Sequence, residues 1–220
     1  MATKIQYING FYTGNAYLNQ TQGDVNAVWV YTYLTAISNT PWTSLESICA
    51  MLGNAWRESH VNPGMWQGLS AGYGPAYGLL QWDPYTKYIN WCKEQDLEPA
   101  YMDSALKRIQ YEMHNNIQWI PLRLYNNQTF EEFARNEYRY TLETLVRCFM
   151  RCYERPGVEE LEERVTAAQR YYTLLSGSYP PPPVPVDPDT PTPPGQYWFN
   201  GKAFLYLRNN GRLSYMNRRR

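Results

Sequence analysis

The chain has 220 residues, of which 44% are hydrophobic, so it can bury one sizeable core with room for a small appendage. Twenty basic and 20 acidic residues give a formal net charge of zero, which argues against a dedicated nucleic-acid binder with its basic excess. No run approaches the ~18 apolar residues of a membrane helix, and mean hydropathy is −0.61.

Met1–Gln6 has one Lys and no apolar region behind it. This predicts no secretory signal, and hence a protein that stays in the cell that makes it, leaves by lysis or travels inside a particle. Residues 27–176 read as mostly helical. Pro41-Trp42-Thr43 opens one helix, with Thr43 and Glu46 as a capping box. Leu45, Ile48, Cys49, Leu52 and Trp56 form its apolar stripe, and Asn62-Pro63-Gly64 requires it to stop near Ser59. The stretch from Met65 to Tyr85 is rich in Gly, has no helical period, and predicts an irregular segment with a small hairpin near 66–83.

Helical patterns resume at Pro84-Tyr85. A short helix is expected over Thr86–Lys93 and another over Asp103–Ile120, with Leu106, Ile109, Met113 and Ile117 on one face. Thr129 and Glu132 make a second capping box. Leu142, Leu145, Val146 and Phe149 continue the period to a break at Arg155-Pro156-Gly157, and Leu161, Val165, Ala168 and Tyr172 mark the last helix, closing near Gly177. Residues 179–195 are a proline-rich linker expected in extended polyproline form. Residues 196–220 carry aromatic runs around Asn210-Gly211, a hairpin signal, and are too short to bury a core alone. The terminal Arg218-Arg219-Arg220 reads as a tail.

Four cysteines, Cys49, Cys92, Cys148 and Cys152, form no CxxC pair, and only His60 and His114 stand beside them. No metal site and no cofactor are expected; the thiols read as small buried apolar groups. Cys49 as the nucleophile of a peptidase is disfavoured by its place on the apolar stripe. Twenty-one Tyr and 8 Trp suit carbohydrate, whose flat apolar faces stack on rings with polar handles.

Glu58 occupies the last turn of its predicted helix, on the flank of Met51 and Ala55 and away from the apolar stripe. There it faces the negative end of the helix dipole. Without a compensating cation, that placement favours the protonated acid, which a glycosidic leaving oxygen needs. A solvated surface glutamate is the alternative reading of the same spacing.

Glu58-Ser59 resembles the Glu-Ser signature of the lysozyme superfamily, and Gly78-Leu79-Leu80-Gln81 resembles the Gly-Leu-Met-Gln wall of lytic transglycosylases. More closely, Met51–Ser59, Val61–Gln67, Tyr77–Trp82, Tyr111–Asn116 and Tyr153–Gly157 resemble the phage tail lysozyme family, found in tail-knob proteins of small short-tailed phages. The similarity runs from about Asn15 to Leu175. It implies a mainly α, lysozyme-like α+β domain over 1–178, with the small hairpin inside it, followed by the linker 179–195 and a short β-type appendage at 196–220.

The resemblance also implies a glycoside hydrolase of the muramidase type, acting on the β-1,4 bond between N-acetylmuramic acid and N-acetylglucosamine in peptidoglycan, with Glu58 as general acid. Where the family commonly has Trp-Thr-Pro, this chain has Trp82-Asp83-Pro84. Asp83 is therefore either a second catalytic carboxylate or the cap of the helix at Pro84-Tyr85; Glu112 is a further candidate partner. Gln81 and Ser59 are candidate substrate contacts, and Trp66, Tyr73, Tyr77 and Trp82 are candidate sugar-stacking rings, at least one of them belonging to the core. A lytic transglycosylase giving 1,6-anhydro products and a non-catalytic wall-binding tail component stay open as alternatives. So do a tail enzyme and a lysis enzyme, released from the host cytoplasm to reach the cell wall. Other tail proteins are candidate partners of residues 196–220.

Overall fold

The computed structural model describes residues 4–177 and three short strands beyond them. It is mainly helical. A two-stranded antiparallel hairpin comes first, β1 (Gln6–Ile8) and β2 (Phe11–Thr13), paired Ile8 with Phe11 and Gln6 with Thr13. Its two-residue turn is Asn9-Gly10, both at positive φ (51° and 100°), the conformation such a turn demands. The regular hairpin therefore lies at residues 6–13. Near 66–83 the chain forms only isolated bridges, Trp66 with Tyr77 and Tyr77 with Trp82.

Seven α-helices follow among the described residues. Helix α1 (Gln20–Ala36) starts before residue 27, because Asn19 and Gln22 close a capping box that the apolar period does not reveal. Helix α2 spans Leu45–Ser59. Its cap is Ser44 and not Thr43: the Ser44 hydroxyl accepts from the Ser47 amide at 3.1 Å and donates to Glu46 at 2.9 Å. The remaining helices are α3 (Thr86–Glu94), α4 (Met102–His114), α5 (Phe130–Arg135), α6 (Leu142–Phe149) and α7 (Leu161–Leu175). Helix α4 stops at His114, short of Ile120, and Ile117 is exposed beyond it. Thr129 and Glu132 cap α5 as predicted.

Helix α2 is the axis of the domain. It is buried on every side from Ser47 to Ala55, so the predicted single stripe is too narrow. Helices α6 and α7 both pack on it. Gly53 permits this: a Cβ there would stand 2.4 Å from the Arg164 carbonyl and 2.7 Å from the Ala168 Cβ. The inward face of α7 is Arg164, Ala167, Ala168, Tyr171 and Leu174. It is turned from the predicted stripe, whose Tyr172 is exposed, so that an arginine takes a core position. An aromatic cluster of Trp119, Phe130, Phe133, Phe149 and Tyr153 fills the space beside α5 and α6.

Buried asparagines join the hairpin to the helices. Asn26 of α1 accepts from the Tyr12 amide at 2.6 Å and donates to the carbonyls of Tyr12 and Val61 at 2.8 and 2.7 Å. The four cysteines are buried and free; Cys148 and Cys152 sit with their sulfurs 3.8 Å apart. Among the described residues, no helix is long and apolar enough to cross a membrane. The strands β3 (Tyr197–Phe199), β4 (Phe204–Leu207) and β5 (Leu213–Tyr215) pair in that order as an antiparallel sheet. The linker 179–195, the Asn210-Gly211 turn and Arg218–Arg220 lie outside the described residues.

Gly53→Ala pits helix propensity, which would add ~1 kcal/mol of stability, against the clash with α7. Overpacking of this kind costs about 1–3 kcal/mol. The variant is expected to melt below the wild type in a thermal denaturation; an unchanged or raised midpoint would show that α7 does not approach this closely.

Candidate active site

Helix α2 ends where the site begins. His60 takes the left-handed conformation, its amide bonded to the Ala55 and Trp56 carbonyls, so the chain turns sharply after Ser59. The Ser59 hydroxyl is fully buried and donates to the Leu79 carbonyl at 2.7 Å, while accepting from the Asn62 amide at 3.1 Å. That bond ties the C-terminal end of α2 to the 78–81 loop. Gly78 turns the loop at φ 92°, with Trp82 and Tyr88 packed against it. The Gly-Leu-Leu-Gln segment and the Glu-Ser segment, 20 residues apart in sequence, are thereby adjacent.

Glu58 stands in that last turn with its side chain 21% exposed. The cation that the sequence reading lacked is Arg164 of α7. Its buried guanidinium donates to Glu58 Oε1 at 2.7 Å, to Asn54 Oδ1 at 3.0 Å and to the Glu159 carbonyl at 3.0 Å. Asn54 in turn donates to the Ala50 and Val146 carbonyls at 2.8 and 3.2 Å. One oxygen of Glu58 is thus fixed by three helices, and no hydrogen bond from a described residue occupies the other.

A second buried polar cluster surrounds Glu112. Glu112 of α4 accepts from Arg108 at 2.8 Å and from the Trp82 indole at 3.1 Å on one oxygen, and from the Tyr153 hydroxyl on the other. The Trp82 N–H also reaches the Tyr153 oxygen at 3.1 Å. Burial raises the Glu112 carboxyl above its ordinary range, and its three donors pull the other way. Tyr153 belongs to a π-helical turn, Met150–Glu154, that prolongs α6. Such turns re-aim side chains and recur at functional sites. The turn's last residue, Glu154, has a carboxyl oxygen closed to solvent and without a hydrogen-bond partner. Burial first, and the Glu58 charge second, push the Glu154 carboxyl well above the usual carboxylate range.

The other predicted residues fall in different surroundings. Tyr77 and Trp82 are buried; Trp82 stacks on Tyr88 at 4.3 Å between ring centres. Trp66 is half-buried against Tyr77 and Tyr85. Tyr73 is 93% exposed at the tip of the loop. Gln81 sits at φ 45° with its amide nitrogen donating to the Met65 and Gly78 carbonyls at 3.0 and 2.9 Å. Asp83 is exposed and caps nothing: α3 begins at Thr86 with Tyr85 as its cap residue and no side-chain bond. Cys49 is buried, and burial raises its thiol far beyond a reactive range. His60 stacks on Trp56 at 4.4 Å and bonds the Leu18 carbonyl at 2.9 Å, away from Cys49's role in the core. Among the described residues no group of His, Cys, Asp and Glu is arranged to hold a metal.

Arg164 and Glu154 were not anticipated. The signal for Arg164 was its phase: it lies three, four and seven residues before Ala167, Ala168 and Tyr171. A surface groove of about 540 Å³ runs along the start of α7, lined by Trp56, Leu161, Arg170 and the carboxylates of Glu160, Glu162 and Glu163. Glu58 does not line it. Residues 56 and 58 point about 200° apart around α2, so the groove belongs to the other side of that helix.

Residues 26–175 match the model of a family described as phage tail lysozyme. Over 168 residues the chain is 42% identical to morphogenesis protein 1 of Bacillus phage B103, a stretch that is 76% of this chain and 44% of the relative. The chain thus spans less than half the length of that relative.

Removing the Glu112 carboxylate would strand the Arg108 guanidinium, the Trp82 indole and the Tyr153 hydroxyl. Breaking a buried ion pair in this way costs about 3–5 kcal/mol. Glu112→Ala is therefore expected to lower the denaturation midpoint far more than Asp83→Ala, in parallel urea titrations; equal, small losses would show that the cluster carries no stability.

Proposed function

Because this chain belongs to the phage tail lysozyme family, we propose that it cleaves bacterial peptidoglycan at the β-1,4 bond between N-acetylmuramic acid and N-acetylglucosamine, with Glu58 as the general acid. The observation that carries the reading is the setting of Glu58. It is a partly exposed carboxyl in the last turn of the central helix, with one oxygen fixed by Arg164 and the other open. General acid catalysis needs such a group held within hydrogen-bond reach of the leaving oxygen, and fixing one oxygen aims the other.

In this reading Glu58 gives its proton to the glycosidic oxygen as the bond breaks. Positive charge then spreads over the sugar ring, and water adds to it. The loop 66–82, pinned to α2 through Ser59 and Leu79, forms the facing wall of the cleft. Tyr73 and Trp66, the rings that keep exposed surface, are the stacking platforms. Tyr77 and Trp82 shape that wall from behind. Gln81, bonded to the Met65 and Gly78 carbonyls, holds that loop in shape, and exposed Asp83 serves as the second carboxylate. The family and the name of the phage relative support a virion tail setting, in which the enzyme opens the wall during infection. The segment 196–220, which carries β3–β5, then serves as its contact to other tail proteins.

Glu58→Gln keeps the shape and removes the proton. Loss of a general acid costs 10²–10⁴-fold, so the variant is expected to lose at least about 100-fold in release of soluble muropeptides from purified cell walls, with its melting temperature kept. Products of the wild type should carry reducing ends. Equal clearing by both proteins would refute the assignment of the acid.

A further inference from the structure

The inference concerns the wall opposite Glu58, and it rests on the reading of the loop 66–82 as that wall. The loop is held at two points. One is the Ser59–Leu79 hydrogen bond to the end of α2. The other is the Trp82 indole, whose N–H is shared between Glu112 Oε1 and the Tyr153 hydroxyl, at 3.1 Å to each. Both partners are buried. The rest of the wall follows from that ring. Gly78 lies on it so closely that a Cβ would stand 3.1 Å from the Trp82 ring and 3.2 Å from Tyr88. The Gly78 amide donates to the Met65 carbonyl at 2.9 Å, and the same carbonyl accepts from the Gln81 side chain at 3.0 Å. Backbone bridges run from Trp82 to Tyr77 and on to Trp66. The place of Trp82 accordingly decides the place of Gln81 and of the Trp66 platform.

Trp82 is itself placed by polar bonds. The Glu112 carboxyl takes Arg108 and Trp82 on one oxygen and the Tyr153 hydroxyl on the other. Arg108 is held over the Trp91 and Tyr111 rings, 5.4 Å from each ring centre. Tyr153 reaches the carboxyl from the π-helical turn. That turn is braced by the segment before α5: the Ile120 amide donates to the Cys152 carbonyl at 2.9 Å, and the Gln118 side chain to the Tyr153 carbonyl at 3.0 Å. Helix α4, the π-turn and the wall meet on one buried group. Well-packed apolar side chains often fill such a space with no loss of stability. What they lack is direction, which hydrogen bonds to an ion-paired carboxyl supply.

We propose that Tyr153 is a positioning residue of the glycan cleft: through Glu112 and Trp82 it sets the wall that binds the sugar, while Arg164 separately sets the acid. Tyr153 touches no substrate. The two anchors share no hydrogen bond. Arg164 serves Glu58, Asn54 and the Glu159 carbonyl, and the Tyr153 hydroxyl serves Glu112 and Trp82. Wall and acid can accordingly be disturbed one at a time, with different kinetic results. Contacts to the wall hold the glycan in the ground state and the transition state alike, so weakening them raises KM and spares kcat. The acid acts as the bond breaks, so its loss falls on kcat. When the wall is left loose, the cost of ordering it is drawn from glycan binding.

The test is kcat and KM for the release of reducing ends from soluble, uncrosslinked peptidoglycan glycan strands by wild type, Tyr153→Phe and Glu58→Gln. Phenylalanine keeps the ring and removes the hydroxyl alone. Tyr153→Phe is expected to raise KM about fivefold, the factor that one hydrogen bond carries, with kcat held. A fall in kcat at unchanged KM overturns the proposal. Wild-type values of both constants with a lowered melting temperature mark a merely structural residue and overturn it too. Glu58→Gln separates the two claims, because its full activity sinks the acid assignment and leaves the Tyr153 comparison standing. Binding gives a readout without turnover: Glu58→Gln, with and without Tyr153→Phe, is titrated calorimetrically with the same strands. About fivefold weaker binding is expected of the double variant, and equal binding overturns the proposal. Strands that bind neither protein refute the wall reading beneath it. Should Tyr153→Phe not fold, Trp82→Phe removes the N–H at the other end of the contact and carries the same expectation.

Discussion

The domain turns on one buried guanidinium. Arg164 sits in the seam between α2 and α7 and uses its fork on a glutamate, an asparagine and a carbonyl. An arginine in a core is tolerated only when its charge is paired and its donors are met. Meeting them fixes a great deal. Asn54 must sit one turn before Glu58, and Gly53 must lack a side chain so that α7 can lie close enough. The 159–160 turn must present a carbonyl. Each of these residues reads as ordinary in isolation; together they lock the orientation of the one carboxyl at the end of α2.

What could be read in the sequence follows from which forces act locally. Helices announce themselves through period and caps, so α2, α3, α5, α6 and α7 fall close to where the apolar spacing puts them, and the mainly α character is plain. The loop 66–82 is equally visible through its glycines. The misplacements share a cause, which is that several local signals compete and the tertiary structure chooses. Ser44 outcompetes Thr43 as cap because its hydroxyl reaches both Ser47 and Glu46. The Asn9-Gly10 turn carries the same signal that was given to Asn210-Gly211, yet the short strands on either side of it were easy to pass over.

The site was legible in part. Glu58 and Ser59 emerge from the family resemblance, and their position at a helix end emerges from Asn62-Pro63-Gly64. The cation opposite Glu58 lies 106 residues away in sequence, where no local pattern reaches. The same holds for Trp82, whose indole N–H reaches a glutamate 30 residues on and a tyrosine 71 residues on. Aromatic residues advertise flat apolar area, and the sequence has no means of saying whether that area meets sugar or another ring. In the fold, Trp82 is buried with its N–H bonded inside, and Tyr73 stands exposed.

The four thiols have a consequence of their own. All are sealed in the interior without a crosslink, and the Cys148 thiol is further occupied by an amide donor from Gln128 at 3.0 Å. Burial suppresses thiolate formation at Cys49 and Cys92, the Cys152 hydrogen bond and burial suppress it at Cys148, and the Cys148 hydrogen bond favours it at Cys152. The described fold is therefore held without a covalent crosslink. Reducing surroundings leave such a polypeptide's bonding intact, and it needs no oxidative maturation to reach its working shape.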